Sequence, residues 1–446
     1  MPDVPRSRTL DDTLGLLSDG YEFIGKRCRR FHSDAFEGRL LGQRVLFVTG
    51  REAAELFYDE RHFRRADAVP APIQRTLFGA GGVQTLDDEA HRARKALFMS
   101  VMTRQSIARF LVGAELEWRT ALSRWQHAGR VVLLEEAERV LFRAACRWVG
   151  VPLDVVDDQR AADMASMVDG FAAPGRRFVR ALLARARSER WATSLVIGVR
   201  RGEVAVPSDA PLALIADHRE RGERLPARVA SVELLNLVRP TTAIAWYVAF
   251  LAVALRDHPV YHQRLLGDDA LLEPFVHELR RYYPFAPLLG ARARHSFQWR
   301  GVSIRRGQLV LLDIYGTLRD PRVFQDADEF RPERFLARTP SAFELIPQGG
   351  GDYFTGHRCA GEWLTIGALA QATRFFVRDL RYDLVAQDLS YRLSRVPSRP
   401  KSGVVLTRVS PRVTTATPAT VGVTNGKDGP PSSRVPALHG RQMGDA

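Results

Sequence analysis

A chain of 446 residues, 45% of them apolar, is long enough to bury a large core, and its three cysteines (Cys28, Cys146 and Cys359) are too few and too scattered for a disulfide framework or a zinc cluster. The net charge of +14 rests almost wholly on arginine, since the lysines are only Lys26, Lys95, Lys401 and Lys427, and the basic residues interleave with Asp and Glu instead of forming a stripe, which argues against nucleic acid as a partner. Met1–Asp12 contains no apolar leader, and the longest apolar run, Ala243–Leu255, is shorter than the roughly 20 residues that span a bilayer, so a cytoplasmic protein without a transmembrane anchor is expected.

Residues 1–11 are expected to form a flexible N-terminus. Arg39–Leu41 and Arg44–Val48 read as a hairpin around Gly42-Gln43, followed by a helix starting at Thr49-Gly50. From about Asp88 to Asp257 apolar residues recur at spacings of three and four, predicting a mostly helical stretch. It is broken at Phe171–Arg177, around Pro174-Gly175, and at Val206–Ala210, around Pro207-Ser208. After Ser296 three short strands are predicted, Phe297–Trp299, Val302–Ile304 and Leu309–Asp313, separated by Arg300-Gly301 and Arg306-Gly307. Tyr391–Val396 and Gly403–Val409 read as a late β pair, and residues 410–446, rich in Thr, Pro, Gly and Ser, as a disordered tail. The expected whole is one mainly α domain, residues 12–409, with small β-sheets at its edge.

Chemistry concentrates near the C-terminal end of that domain. Ile346-Pro347-Gln348-Gly349-Gly350-Gly351 is followed by Gly356-His357-Arg358-Cys359-Ala360-Gly361-Glu362 and an apolar helical run. A glycine-rich loop lets backbone N–H groups approach the sulfur, and a helix N-terminus with nearby cations favours its thiolate. Cys359 alone could equally be a small buried hydrophobe. Upstream, Glu278 and Arg281 stand three apart on one helix face, running into Tyr282-Tyr283-Pro284-Phe285. A further arginine follows in Phe330-Arg331-Pro332-Glu333-Arg334-Phe335. A buried Glu–Arg–Arg network there would fix this helix against the segment leading to the cysteine loop.

With these motifs the chain resembles the cytochrome P-450 superfamily, from about Asp12 to Val409, and within it the bacterial fatty-acid peroxygenases. The resemblance is carried by Phe57-Tyr58-Asp59, Phe78-Gly79, Val83-Gln84, Ala90-His91, Leu235-Asn236-Leu237-Val238-Arg239-Pro240, Arg280–Phe285, Asp313–Thr317 and the cysteine loop. It implies a P-450 fold and haem b (iron protoporphyrin IX), with Cys359 as axial ligand, Glu278, Arg281 and Arg334 as the structural network, and Arg65, His91 and His357 near the haem propionates. His91 could equally be a satisfied core histidine. The superfamily's phenylalanine seven residues before the cysteine is Asp352 here, and the usual proline after it is Ala360. The longer Gln348–Gly351 loop is shared with the peroxygenase branch.

Arg239-Pro240 are expected at the start of the helix crossing over the haem. By the resemblance, oxygen-using relatives place an acid and an alcohol there for proton delivery; Thr241 and Thr242 follow, but the acid's place is taken by Arg239-Pro240. The proline removes a backbone N–H and bends the helix. The resemblance implies that Arg239 holds the substrate carboxylate as a charge-assisted pair and that this carboxylate shuttles the proton when peroxide is cleaved. It further implies α- and/or β-hydroxylation of fatty acids by hydrogen peroxide, with no obligate redox partner. Arg239, Pro240 and Gln84 are the expected catalytic residues, and Arg239, Phe78, Phe285 and Leu288 the expected substrate contacts, although Phe78 could be plain core and Gln84 an ordinary loop residue. Relatives with histidine at the position of Gln84 decarboxylate fatty acids to terminal alkenes, which is one alternative outcome. A monooxygenase fed by redox partners is another.

Overall fold

The computed structural model describes residues 4–412; the expected tail lies outside the described residues from Val413 onward. Its body is built from helices whose ends are set by local chemistry. Thr103 accepts from Ser106 N (3.2 Å) to start Arg104–Trp125, and Asp157 accepts from Arg160 N (2.8 Å) to start Asp158–Asp169. Around them pack Leu133–Val149, Arg176–Arg200, Ala227–Ala243, Ala245–Asp257, Leu272–Tyr282 and Glu362–Arg374. Trp118, Phe110, Trp246, Leu237 and Leu369 are among the side chains buried in the shared core. The stretch Ala227–Asp257 is long and apolar enough to cross a membrane, yet its apolar window is almost wholly inside the protein, so it serves as the central core helix pair.

The largest sheet runs in the order Ala35–Leu40, Gln43–Val48, Leu309–Asp313, Leu288–Ala293, Phe63–Arg64, and only the second and third strands pair in parallel. Period-two alternation sends Leu46, Val48, Val310 and Leu312 to one core, with Phe57 and Phe63. Val45, Phe47, Leu309 and Leu311 go to another, with Phe23 and Phe36. The first hairpin turns on Leu41 and Gly42, both at positive φ (50° and 76°), one residue before the expected turn.

The strands Phe297–Trp299, Val302–Ile304 and Leu309–Asp313 form as predicted. The late β pair does not. Val405–Pro411 pairs with Leu380–Leu384 and Val131–Val132. Tyr391–Val396 instead carries its tyrosine onto Phe250 (5.1 Å between ring centroids), so aromatic burial wins over strand pairing. Val405–Pro411 also runs two residues past the expected domain end. An unforeseen hairpin, Arg219–Glu220 with Glu223–Arg224, interrupts the helical stretch at Arg221-Gly222, both left-handed. Of the N-terminal segment expected to be flexible, the described part lies beside Ala35–Leu40, with Ser7 N donating to Glu37 O (2.7 Å) and Glu37 N to Pro5 O (2.8 Å).

Candidate functional site

Cys359 sits three residues before the helix Glu362–Arg374, on a loop folded back upon Gln348. Its N–H donates to Gln348 O (3.0 Å), and Gln348 Nε2 lies 3.8 Å from the sulfur while donating to Thr365 Oγ1 (3.0 Å). Gly349 and Gly351 take φ of 92° and 81°, and a Cβ on Gly350 would stand 2.5 Å from Ala342 O, so the run of glycines is sterically required. Burial pushes the thiol up, while Lys95 and the Gly361 N–H favour the thiolate. Asp352 accepts from Thr355 N (2.6 Å) and Oγ1 (2.8 Å), so the position of the missing phenylalanine is the cap of a local turn.

The structure brings Arg65, His91 and His357 together, as expected, and adds Lys95, which sequence reasoning left without a role. The His91 and His357 rings stack at 3.8 Å. Desolvation pushes the His91 imidazole down to about 4 and the His357 imidazole lower still, with Lys95 and Arg65 adding repulsion, so neither ring carries charge at neutral pH. Burial brings Lys95 down to about 8 and Arg65 down to about 10. Lys95 Nζ donates to Arg358 O, directly beside the cysteine. Arg65 Nη1 and His91 Nδ1 are buried without a partner. Glu60, His91 and His357 lie close enough to hold a metal ion, but the surrounding cations suit acidic groups better. These residues fit the expected haem: one sulfur ligand on a steric loop and, apart from it, a buried guanidinium N–H and a buried imidazole nitrogen without partners.

Arg239 and Pro240 lie within the helix Ala227–Ala243, near its end, not at its start as expected; the apolar run that marks the helix simply begins earlier, at Val232. Pro240 deprives Asn236 O of its helical donor, and the helix ends three residues later, at Ala243, before Ala245–Asp257 begins. Arg239 is 5% exposed, donates from Nη2 to Asn236 Oδ1 (3.3 Å), and leaves Nε without a partner. Among the described residues no carboxylate pairs with it. Burial, then the charge of Arg185, brings the guanidinium down to about 9, while the Cys359 sulfur opposes that shift. Thr241 and Thr242 donate their hydroxyl protons to Leu237 O (2.8 Å) and Val238 O (3.0 Å).

Asn236 joins the expected catalytic residues. Its Nδ2 donates to Gln84 Oε1 (3.2 Å) and to Glu233 Oε2 (2.9 Å). Glu233 in turn accepts from Val83 N (2.9 Å) and from Arg94, which also holds Glu220 (2.6 Å). The segment bearing Gln84 is thereby clamped to the Arg239 helix. Phe78, at the end of Ala71–Leu77, meets Phe171 edge-on at 5.5 Å. Phe285 stacks on Tyr247 (4.9 Å). Leu288, half-buried on Leu288–Ala293, packs against the core that holds Phe23 and Phe36.

The expected network is present and fully buried at its centre. Arg281 holds both oxygens of Glu278 (2.7 and 2.8 Å), and Arg334 and the Arg331 N–H complete the carboxylate at 3.2 and 2.7 Å. A second network was not foreseen: Glu362 pairs with Arg280 and Arg358, each at 2.6 Å. It ties the same helix directly to the first turn after Cys359. The doublet Arg280-Arg281 was its only trace in the sequence.

A model of the family described as cytochrome P-450 matches residues 253–382. Solved structures of high similarity extend the match. A point mutant of cytochrome P-450SP alpha (CYP152B1) is 42% identical, with a TM-score of 0.88 over 90% of this chain and 99% of that one. Wild-type cytochrome P-450EX alpha (CYP152N1), solved with myristic acid, is 40% identical, with a TM-score of 0.90 over 92% of this chain and 100% of that one. A mutant of cytochrome P-450 OleT in complex with arachidonic acid is 34% identical, again with a TM-score of 0.90, over 93% and 100%.

Proposed function

We propose, for a chain that belongs to the cytochrome P-450 family and within it to the CYP152 fatty-acid peroxygenases, that it hydroxylates fatty acids at the α and/or β carbon with hydrogen peroxide. One oxygen of peroxide enters the C–H bond and the other leaves as water, so the reaction balances without electrons from a reductase. A haem bound through the Cys359 thiolate supplies the oxygen-transfer chemistry.

The observation that carries this reading is the buried guanidinium of Arg239, which has an unpaired N–H and, among the described residues, no carboxylate partner. A buried charge without a counter-ion is costly, and a substrate carboxylate relieves that cost while contributing a charge-assisted bond of about 1.5–3 kcal/mol. Held there, the carboxylate is placed to take and return the peroxide proton, a role worth roughly 10²–10⁴-fold in rate. Asn236 orients Arg239 and Gln84 together. The threonine hydroxyls, donating to their own helix, favour peroxide over a dioxygen route that would need them as proton donors. Decarboxylation to terminal alkenes is the second reading, favoured by the likeness to OleT, and Gln84 in place of a titratable histidine favours hydroxylation over it.

The test supplies purified holoprotein with hydrogen peroxide and a long-chain fatty acid, without NAD(P)H, and identifies products by mass spectrometry. Hydroxy acids are expected. Arg239→Ala is expected to lower kcat/KM by about 10²-fold or more while keeping the thiolate-haem carbon monoxide band. Turnover that survives in this variant, or that needs a reductase, overturns the proposal.

A further inference from the structure

The hydrogen bonds around Arg239 have a direction, and one carboxylate sets it. Glu233, Asn236 and Arg239 stand three apart along Ala227–Ala243, so each is a neighbour of the next. Glu233 is fully buried and, as a carboxylate, can only accept. Val83 N (2.9 Å) and Arg94 Nη1 both donate to its Oε1, and Asn236 Nδ2 donates to its Oε2 (2.9 Å). The second proton of Nδ2 goes to Gln84 Oε1 (3.2 Å), which leaves the amide oxygen of Asn236 to accept from Arg239 Nη2 (3.3 Å). Gln84 is thereby fixed with its oxygen on Asn236, and its NH2 has no acceptor among the described residues.

Arg94 keeps that carboxylate charged. It is 3% exposed and bridges Glu233 to Glu220 on the surface hairpin (Nε to Oε1 2.6 Å, Nη2 to Oε2 3.1 Å), while Nη1 also donates to Gly81 O (3.2 Å). Burial raises the Glu233 carboxyl, and Arg94, Asn236 and Val83 N oppose the shift. We propose that Glu233, held by Arg94, is a positioning residue that sets the polarity of this amide chain, so that Arg239 meets an oxygen and Gln84 keeps its N–H groups free. Their use in holding a substrate carboxylate rests on the function proposed above; the polarity itself does not. A neutral amide at position 233 reverses the chain. In Glu233→Gln the donors Val83 N and Arg94 claim the new amide's oxygen, which leaves its NH2 against Asn236 Nδ2. Asn236 then turns its own oxygen toward that NH2 and its own NH2 toward the Arg239 guanidinium, two donors with no acceptor between them.

A crystal structure of substrate-free Glu233→Gln holoprotein, a near-isosteric variant, tests the polarity: Arg239 Nη2 is expected to leave Asn236 for a separation beyond about 3.5 Å. Titration with palmitate, followed by the haem spin-state shift, tests its use. The apparent Kd is expected to rise about tenfold. Peroxide-driven turnover should also change its ratio of α- to β-hydroxy acid, which a merely structural clamp would leave alone. Arg94→Met lets the buried carboxyl take up a proton and should behave like Glu233→Gln, with the double variant no worse than Arg94→Met alone. Arg94→Lys keeps the cation and should bind palmitate within about threefold of wild type. Arg239 still hydrogen-bonded to Asn236 in Glu233→Gln overturns the proposal. Where wild type responds to palmitate, a Glu233→Gln protein with the wild-type Kd and product ratio overturns it too, as do additive losses in the double variant or an Arg94→Lys protein as impaired as Arg94→Met. Displacement of Arg239 in the variant structure, beside a wild type whose spectrum ignores palmitate, upholds the polarity and counts against the peroxygenase reading alone.

Discussion

Asn236 bridges Gln84 and Arg239, its single amide group donating to Gln84 and accepting from Arg239. The side chain at position 84 is thereby one amide group away from the guanidinium proposed to hold the substrate carboxylate. A glutamine amide offers hydrogen bonds but no proton to move near neutral pH, whereas an imidazole titrates there. Gln84→His is accordingly expected to raise the alkene share of the products at the expense of hydroxy acids, read by gas chromatography of a peroxide-driven reaction. An unchanged product ratio removes Gln84 from the chemistry. At this scale the sequence was legible where a residue's role belongs to a compact motif, as with Cys359 and Arg239. It was not legible for Asn236, Lys95 or Glu233, because their partners lie far off along the chain: Lys95 meets Arg358, and Glu233 meets Val83 and Arg94. Nothing in the local pattern marks such pairs.

Between elements, the two arginines of one doublet divide the labour. Arg281 satisfies Glu278 and the carbonyls of Leu318 and Ala327, fixing the helix Leu272–Tyr282 against the 318–334 segment, while Arg280 fixes the same helix to the start of the cysteine helix through Glu362. Glu278 is fully buried and serves two guanidiniums, so Glu278→Gln leaves buried positive charge uncompensated. A loss of about 3–5 kcal/mol is expected in urea unfolding, together with reduced haem retention. A variant within 1 kcal/mol of wild type would show the network to be structurally redundant. Elements set by Gly, Pro and strict alternation were readable, as the three strands from Phe297 to Asp313 show. Tyr391–Val396 was misread because its apolar spacing serves packing against Phe250 and Tyr283, a tertiary demand that local propensity does not encode.

For the whole molecule, stability against pH follows from charges enclosed by the fold. Asp313 ends a central strand, is 1% exposed, and caps the next turn by accepting from Gly316 N (2.7 Å) and, more weakly, from Thr49 Oγ1 (3.4 Å). Burial raises its carboxyl from 3.8 to about 7, with those hydrogen bonds and the charges of Arg29 and Arg319 opposing the shift. Between these two values the native state keeps a proton that the unfolded chain has already released. The contribution of Asp313 to stability is therefore greatest below about pH 4, falls as pH rises toward 7, and levels off above that. The difference between the two values corresponds to roughly 4 kcal/mol at most. Asparagine keeps the acceptor for Gly316 N and cannot ionise. Asp313→Asn is thus expected to match wild type near pH 4 and to exceed it by up to that amount at pH 8, measured by urea unfolding of the holoprotein at both values. Parallel pH profiles for the two proteins would mean that Asp313 is charged in the native state, with its ion already stabilised by Arg29 and Arg319.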